Sequence, residues 1–205
     1  MAYALGSEPG SAAPPVAELK IVVAGGFGVG KTTMVGAVSE IEPLTTEEVL
    51  TDAGQDIDDL TGVAEKTTTT VAMDFGRITF DEPPRPMILF LFGTPGQERF
   101  WFAWPDLSYG AVGAVVLADT RRLQDSFAAV SYFEQLKTPF IVAVNEFDNA
   151  HRYTPDEVRQ ALDLDPEVPV LTCDVRDRTS AMDVLIRLVE HSLRRRRQLT
   201  SGALT

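Results

Sequence analysis

Short apolar runs alternate along the chain with segments whose apolar residues recur at helical spacing, the pattern of strands and helices taken in turn. Residues 19–24 predict a first strand, and residues 31 to about 39 the first helix. Residues 111–118 and 140–144 are continuous apolar runs, as expected of central parallel strands buried on both faces. Residues 168–172 read as the last strand. Two further strands are predicted at 70–80 and 86–92, joined as an antiparallel hairpin across Asp81-Glu82-Pro83-Pro84-Arg85. Leu123, Phe127, Val130 and Phe133 lie at helical spacing. Thr154-Pro155-Asp156-Glu157 combines an N-cap, a proline at the first helical position and a capping-box glutamate. A final helix over about 180–197 carries Met182, Leu185, Ile186, Val189 and Leu193 on one stripe, read as core. Residues 42–65 are acidic and lack a period, which predicts a long loop. The order specifies an α/β fold: a doubly wound, mostly parallel six-stranded sheet with one antiparallel edge strand and helices on both faces. Its binding crevice would lie on the loops at the strand carboxyl ends.

At 205 residues, the chain can bury about 70% of its unfolded surface in one domain without staples. That domain is placed at 18–197, after a disordered leader rich in Ala, Gly, Ser and Pro at 1–17 and before a flexible tail at 198–205. The single cysteine, Cys173, rules out an internal disulfide and fits a reducing cytosol. Neither a membrane-spanning run, a signal peptide nor a lipidation motif is evident, so the expectation is a cytoplasmic protein brought to a membrane only by a partner. A net charge of −12 disfavours direct binding of nucleic acid. The four arginines at 194–197 read either as a solvated helix end that complements the dipole or as a contact for an anionic membrane or acidic partner. Asp56, Asp58 and Asp59 read as a solvated acidic loop, since the glycine and distal glutamate of an EF-hand are out of place.

The chemistry enters at Gly25-Gly26-Phe27-Gly28-Val29-Gly30-Lys31-Thr32, a complete G-x-x-x-x-G-K-[ST] loop between a predicted strand and a predicted helix. Glycines let successive backbone N–H groups turn inward around a phosphate, and the following helix presents its positive end. Gly25, Gly28, Val29, Gly30, Lys31, Thr32 and Thr33 are therefore the candidate phosphate contacts. Lys31 supplies a charge for the β- and γ-phosphates, and the Thr32 hydroxyl would sit on Mg²⁺. The loop alone does not choose among kinases, ATPases and GTPases.

Four more segments stand in the order found in Ras-like small GTPases, which this chain resembles over nearly all of 18–197. Thr70-Val71-Ala72-Met73-Asp74-Phe75 resembles the switch I segment, which implies that Thr70 reaches Mg²⁺ and the γ-phosphate. Gly93-Thr94-Pro95-Gly96-Gln97-Glu98 resembles switch II. By that resemblance Gly96 meets the γ-phosphate through its N–H and Gln97 orients the attacking water, so that Gln97, Lys31 and Thr70 are the catalytic set. The family's aspartate is replaced by Gly93, so Mg²⁺ is expected to rest on Thr32, Thr70, phosphate and water. Asn145-Glu146-Phe147-Asp148 stands where the family has N-K-x-D. Asp148 would read guanine and Asn145 would tie the base loop to the phosphate loop, while Glu146 replaces the lysine that covers the base. Thr172-Cys173-Asp174 stands for S-A-K, which implies a backbone contact from Cys173 or Asp174 to the base. Cys173 itself reads as a small buried residue rather than a nucleophile.

Within the superfamily the combination of motifs is similar to the GTPase of actinobacterial conservon operons, and more distantly to the bacterial polarity GTPase, which also lacks the switch II aspartate. The resemblance implies GTP or GDP with Mg²⁺, slow hydrolysis and a regulatory role. It also implies a roadblock-type protein and a sensor-kinase-like protein as partners, and a pentapeptide-repeat protein for a mycobacterial relative linked to quinolone resistance. A nucleotide-binding scaffold that does not cycle and a P-loop small-molecule kinase are the alternatives. Phe27 reads either as an obstacle to an arginine finger or as packing against a switch. Phe100, Trp101, Phe102 and Trp104 read either as an exposed partner surface or as rings buried against a neighbouring helix.

Overall fold

The continuous apolar runs serve two cores at once. In the computed structural model, which describes residues 16–51, 68–81 and 86–202, Ile21 and Val23 of strand β1 (Ala17–Gly25) point to one face of the sheet. Val22 and Ala24 point to the other. Strands β5 (Gly113–Ala118) and β6 (Phe140–Asn145) divide in the same way, because successive side chains of a strand face opposite sides. Helices α1 (Lys31–Val38) and α5 (Arg178–Gly202) close the first core. Helices α3 (Phe127–Leu136) and α4 (Pro155–Ala161) and Trp104 of the short α2 (Trp104–Ser108) close the second.

Strands β2 (Leu44–Thr51), β3 (Thr68–Phe80), β4 (Met87–Gly93) and β7 (Val170–Cys173) complete a sheet of order β2-β3-β4-β1-β5-β6-β7. The α/β fold of a P-loop NTPase is as expected, with parallel pairing from β4 through to β7. Among the described residues the sheet has seven strands rather than six. The extra one, β2, lies in the stretch read as a loop, whose Thr45, Thr46, Val49, Leu50 and Thr51 suit a strand while Glu47 and Glu48 hide the pattern. Charged residues are well tolerated on such an outermost strand. The one strand of opposite direction, β3, is consequently not the edge: it pairs antiparallel with β2 on one side and β4 on the other. Residues 52–67, with the aspartates at 56, 58 and 59, and the hairpin turn at 82–85 lie outside the described residues. So do 1–15 of the predicted leader, whereas Ala17 already pairs with Met87.

Two helices follow the sequence closely and one departs from it. The capping box of α4 is complete: Glu157 N–H donates to Thr154 Oγ1 at 3.3 Å and Thr154 N–H donates to Glu157 Oε2 at 2.8 Å. A 3₁₀ turn, Leu123–Ser126, precedes α3. In α5 the buried line is Ala181, Val184, Leu185 and Leu188, while Ile186 and Leu193 of the expected stripe are 50% and 49% exposed. The buried line sits one residue earlier, about 100° round the helix, with Leu188 and Ser192 of α5 lying close over Gly113 of β5, where a Cβ would come within 2.9 and 2.7 Å of them. The helix also runs on through Gly202, past Arg197 where it was expected to stop.

Candidate functional site

The loop between β1 and α1 is held by its own lysine. Lys31 Nζ donates to the carbonyls of Gly25 at 3.0 Å and Gly26 at 2.7 Å. Burial pulls its pKa down to about 8, an effect partly offset by the negative charge of Asp74. Asn145 fixes the other side. Its Nδ2 donates to the Val29 carbonyl at 3.0 Å, and its Oδ1 accepts from Val175 N–H at 3.3 Å. One amide thus ties the phosphate loop to the ends of β6 and β7, the role expected of it. Only glycine fits at position 30, where φ is +108° and a Cβ would lie 2.8 Å from Asn145 Nδ2. Thr33 is exposed on the first turn of α1.

A carboxylate stands beside Thr32 after all, and it comes from across the sheet. Asp74 of β3 is registered opposite Gly93 of β4. The aspartate is buried, and its Oδ2 accepts a hydrogen bond from Thr32 Oγ1 at 2.7 Å. A Cβ on residue 93 would lie 2.9 Å from that same Oδ2. Gly93 is therefore the complement of Asp74, which adds a carboxylate beside Thr32 to the expected set of Thr32, Thr70, phosphate and water. The donors are hard oxygens, and among the described residues no cluster of three or more His, Cys, Asp or Glu occurs. Such a set fits Mg²⁺, which takes one or two protein oxygens and keeps phosphate and water for the rest. Thr70, the other expected ligand, is described only by its backbone. The threonine lies inside β3, paired with Val49, four residues before Asp74 and so about 13 Å away at the usual strand rise. Its side chain is outside the described residues.

The segment that resembles switch II begins where β4 ends. Gly96 lies directly over the phosphate loop: a Cβ there would meet Lys31 Nζ at 2.7 Å and Gly26 at 2.9 Å. Gln97 precedes a 3₁₀ turn, Glu98–Ala103, and its Oε1 accepts from Arg99 Nε at 2.9 Å. The aromatic cluster splits. Phe100 and Trp104 are buried, Trp101 is half-buried, and Phe102 alone is largely exposed, at 61%. Trp104 donates its indole N–H to the Pro95 carbonyl at 3.1 Å and packs against Tyr132 of α3. At the tip of the phosphate loop Phe27 is 63% exposed, and its carbonyl accepts from Arg122 Nη2 at 2.8 Å. The ring therefore extends outward from the described residues.

At the far end Asp148 and Asp174 converge on Arg176. Arg176 Nη1 and Nη2 donate to the two oxygens of Asp148 at 3.0 and 3.3 Å, and its Nε and Nη2 donate to Asp174 at 2.9 and 2.8 Å. The guanidinium beside them holds Asp148 below the usual carboxylate range and Asp174 down to about 2. The Asp174 backbone N–H, expected to face a base, donates to Ser180 Oγ at 3.0 Å. Glu146 turns to Arg152 at 3.5 Å. Cys173 of β7 is buried in the first core, and burial pushes its thiol up to about 12. It is a packing residue.

The fold and the phosphate loop define a P-loop nucleotide-binding protein, with a buried lysine and a hydrogen-bonded threonine–aspartate pair beside the loop. Residues 23–195 match the model of a family described as conserved hypothetical ATP-binding proteins, and the chain belongs to that family. No curated protein matches it. Asp74, Arg122 and Arg176 were missed from sequence. An aspartate inside an otherwise apolar and β-branched strand was the available signal for the first, since a strand charge facing the core needs a partner.

Proposed function

We propose that the protein is a guanine-nucleotide-binding switch with slow GTP hydrolysis that regulates a partner protein in a bacterial signalling system. What carries this reading is Asp148: a carboxylate, on a loop tied to the phosphate loop by Asn145, that receives a planar pair of N–H donors across its two oxygens. The guanine edge offers such a pair and adenine does not. The family description names ATP, so the two bases are the alternatives to separate.

In the proposed reaction a water attacks the γ-phosphorus, the bond to the β–γ bridging oxygen breaks, and GDP, phosphate and a proton result. Lys31 leaves the Gly25 and Gly26 carbonyls for phosphate oxygens, and the loop N–H groups take up spreading charge. Mg²⁺ would be held by Thr32, with Asp74 behind or beside it, and would supply positive charge at the phosphates. Gly96 is close enough to Lys31 to meet the γ-phosphate, and Gln97 positions the water once it gives up Arg99. That prior engagement of Gln97 and the outward Phe27 both support slow turnover without assistance. They equally favour a second reading, a scaffold that binds and does not cycle. A roadblock-type protein and a sensor-kinase-like protein are the proposed partners, with a pentapeptide-repeat protein as a third. Recruitment to a membrane would be through them.

Titration with GDP, GTP and ATP, with and without Mg²⁺ and repeated on Lys31→Ala, tests the assignment. Guanine nucleotides should bind tightest, and equal affinities for ATP and GTP would defeat the guanine reading. Release of phosphate on the order of 10⁻⁴ to 10⁻³ per second is expected of the switch, against none for the scaffold.

A further inference from the structure

We infer that Arg176 is an internal competitor for the base, a side chain that occupies the guanine-reading carboxylate and must be displaced from it when guanine nucleotide binds. The inference rests on the proposed guanine reading of Asp148. A guanidinium presents two parallel N–H groups from one plane, and the guanine Watson–Crick edge presents a ring N–H beside an amino N–H in the same N–C–N arrangement. Arg176 uses that geometry, with Nη1 on one oxygen of Asp148 and Nη2 on the other. A carboxylate accepts one such fork across its two oxygens at a time. Arginine and base are therefore alternatives at Asp148, not neighbours.

The arginine is also placed to yield. Its Nε and Nη2 hold Asp174, two residues earlier on the same loop, so release of Asp148 leaves the guanidinium tethered instead of stranded. The side chains of Arg176 and Asp148 are 56% and 78% exposed, and an ion pair this open has a value equivalent to a factor of about two to five in binding. Such competition lowers guanine affinity by a few-fold without blocking the site. It does not touch adenine nucleotides, which have no donor pair for Asp148. Arg176 is a specificity-determining residue that acts by narrowing the margin by which guanine is preferred.

The test is equilibrium titration of the full chain with fluorescent GDP and ATP analogues. Arg176→Ala and Arg176→Gln should each raise GDP affinity about two- to fivefold and leave ATP affinity unchanged. The gain should shrink at high salt, where the native ion pair is already weakened. In an Asp148→Ala background, Arg176→Ala should add nothing. Lower or unchanged GDP affinity in both Arg176 variants, while Asp148→Ala still weakens GDP binding, overturns the competitor and spares the guanine reading. If Asp148→Ala leaves GDP binding intact, the guanine reading itself falls and the inference falls with it.

Discussion

Asp74 and Gly93 face each other across the β3–β4 ladder, and the carboxylate of the first fills the space that a side chain on the second would need. Gly93→Asp alone should place two carboxylates in that space and destabilise the fold by about 1–3 kcal/mol in chemical denaturation. Asp74→Gly alone should remove most of the Mg²⁺ dependence of nucleotide affinity, by tenfold or more, roughly a 1.4 kcal/mol loss. The double variant Asp74→Gly with Gly93→Asp should recover part of it. Undiminished Mg²⁺ dependence in Asp74→Gly would remove Asp74 from the metal site.

Lys31 should make binding and stability respond to pH in opposite directions. Burial holds its folded pKa near 8 against 10.5 for an ordinary lysine, so between those values the unfolded chain binds more protons. Stability without added nucleotide therefore rises with pH across this window. Phosphate binding needs the ammonium, so affinity is flat below about 8 and falls above it, by about tenfold between pH 7 and pH 9. Thermal melts and nucleotide titrations over that range check both signs, and parallel trends would contradict the assignment.

Trp104 should report the nucleotide. Its N–H holds the Pro95 carbonyl, one residue before Gly96, and its ring lies 5.4 Å from that of Trp101. Exchange of GDP for a non-hydrolysable GTP analogue is expected to change tryptophan emission, and Trp104→Phe to abolish most of the change. The same variant should cost about 1–3 kcal/mol, since it strands a buried carbonyl. An unaltered spectrum on exchange would argue against a switch II coupled to the γ-phosphate.

Cys173 should be inert in the folded protein. With its thiol pushed up to about 12 by burial, reaction with an aromatic disulfide near neutral pH should run at least about a hundredfold slower than in denaturant. Labelling at the free-thiol rate under native conditions would show that β7 opens readily.

The fold was legible where a local rule and the tertiary environment agreed. Runs such as Val115 to Ala118 are apolar at every position because both faces are buried, and Thr154 with Glu157 encodes a helix start that closes on itself. The β2 strand escaped notice because an edge strand needs neither alternation nor continuous apolarity, and Glu47 and Glu48 are at home there. The strand–loop–helix around Gly25 to Thr32 and the tie from Asn145 to Val29 were readable because they depend on backbone shape and one amide. Asp74 and Arg176 were not, because each acts on a residue far away in sequence: Thr32 and Gly93 for the aspartate, Asp148 for the arginine. Register and loop approach determine those meetings, and no spacing rule contains them.

A carboxylate rooted in β3 has little room to travel. In the proposed switch, the protein ligand behind the cation would be the same before and after hydrolysis, so the ion would carry no information about which nucleotide is bound. In that switch a partner would tell the two forms apart by the stretch from Pro95 through the exposed Phe102, which Gly96 brings against the phosphate loop.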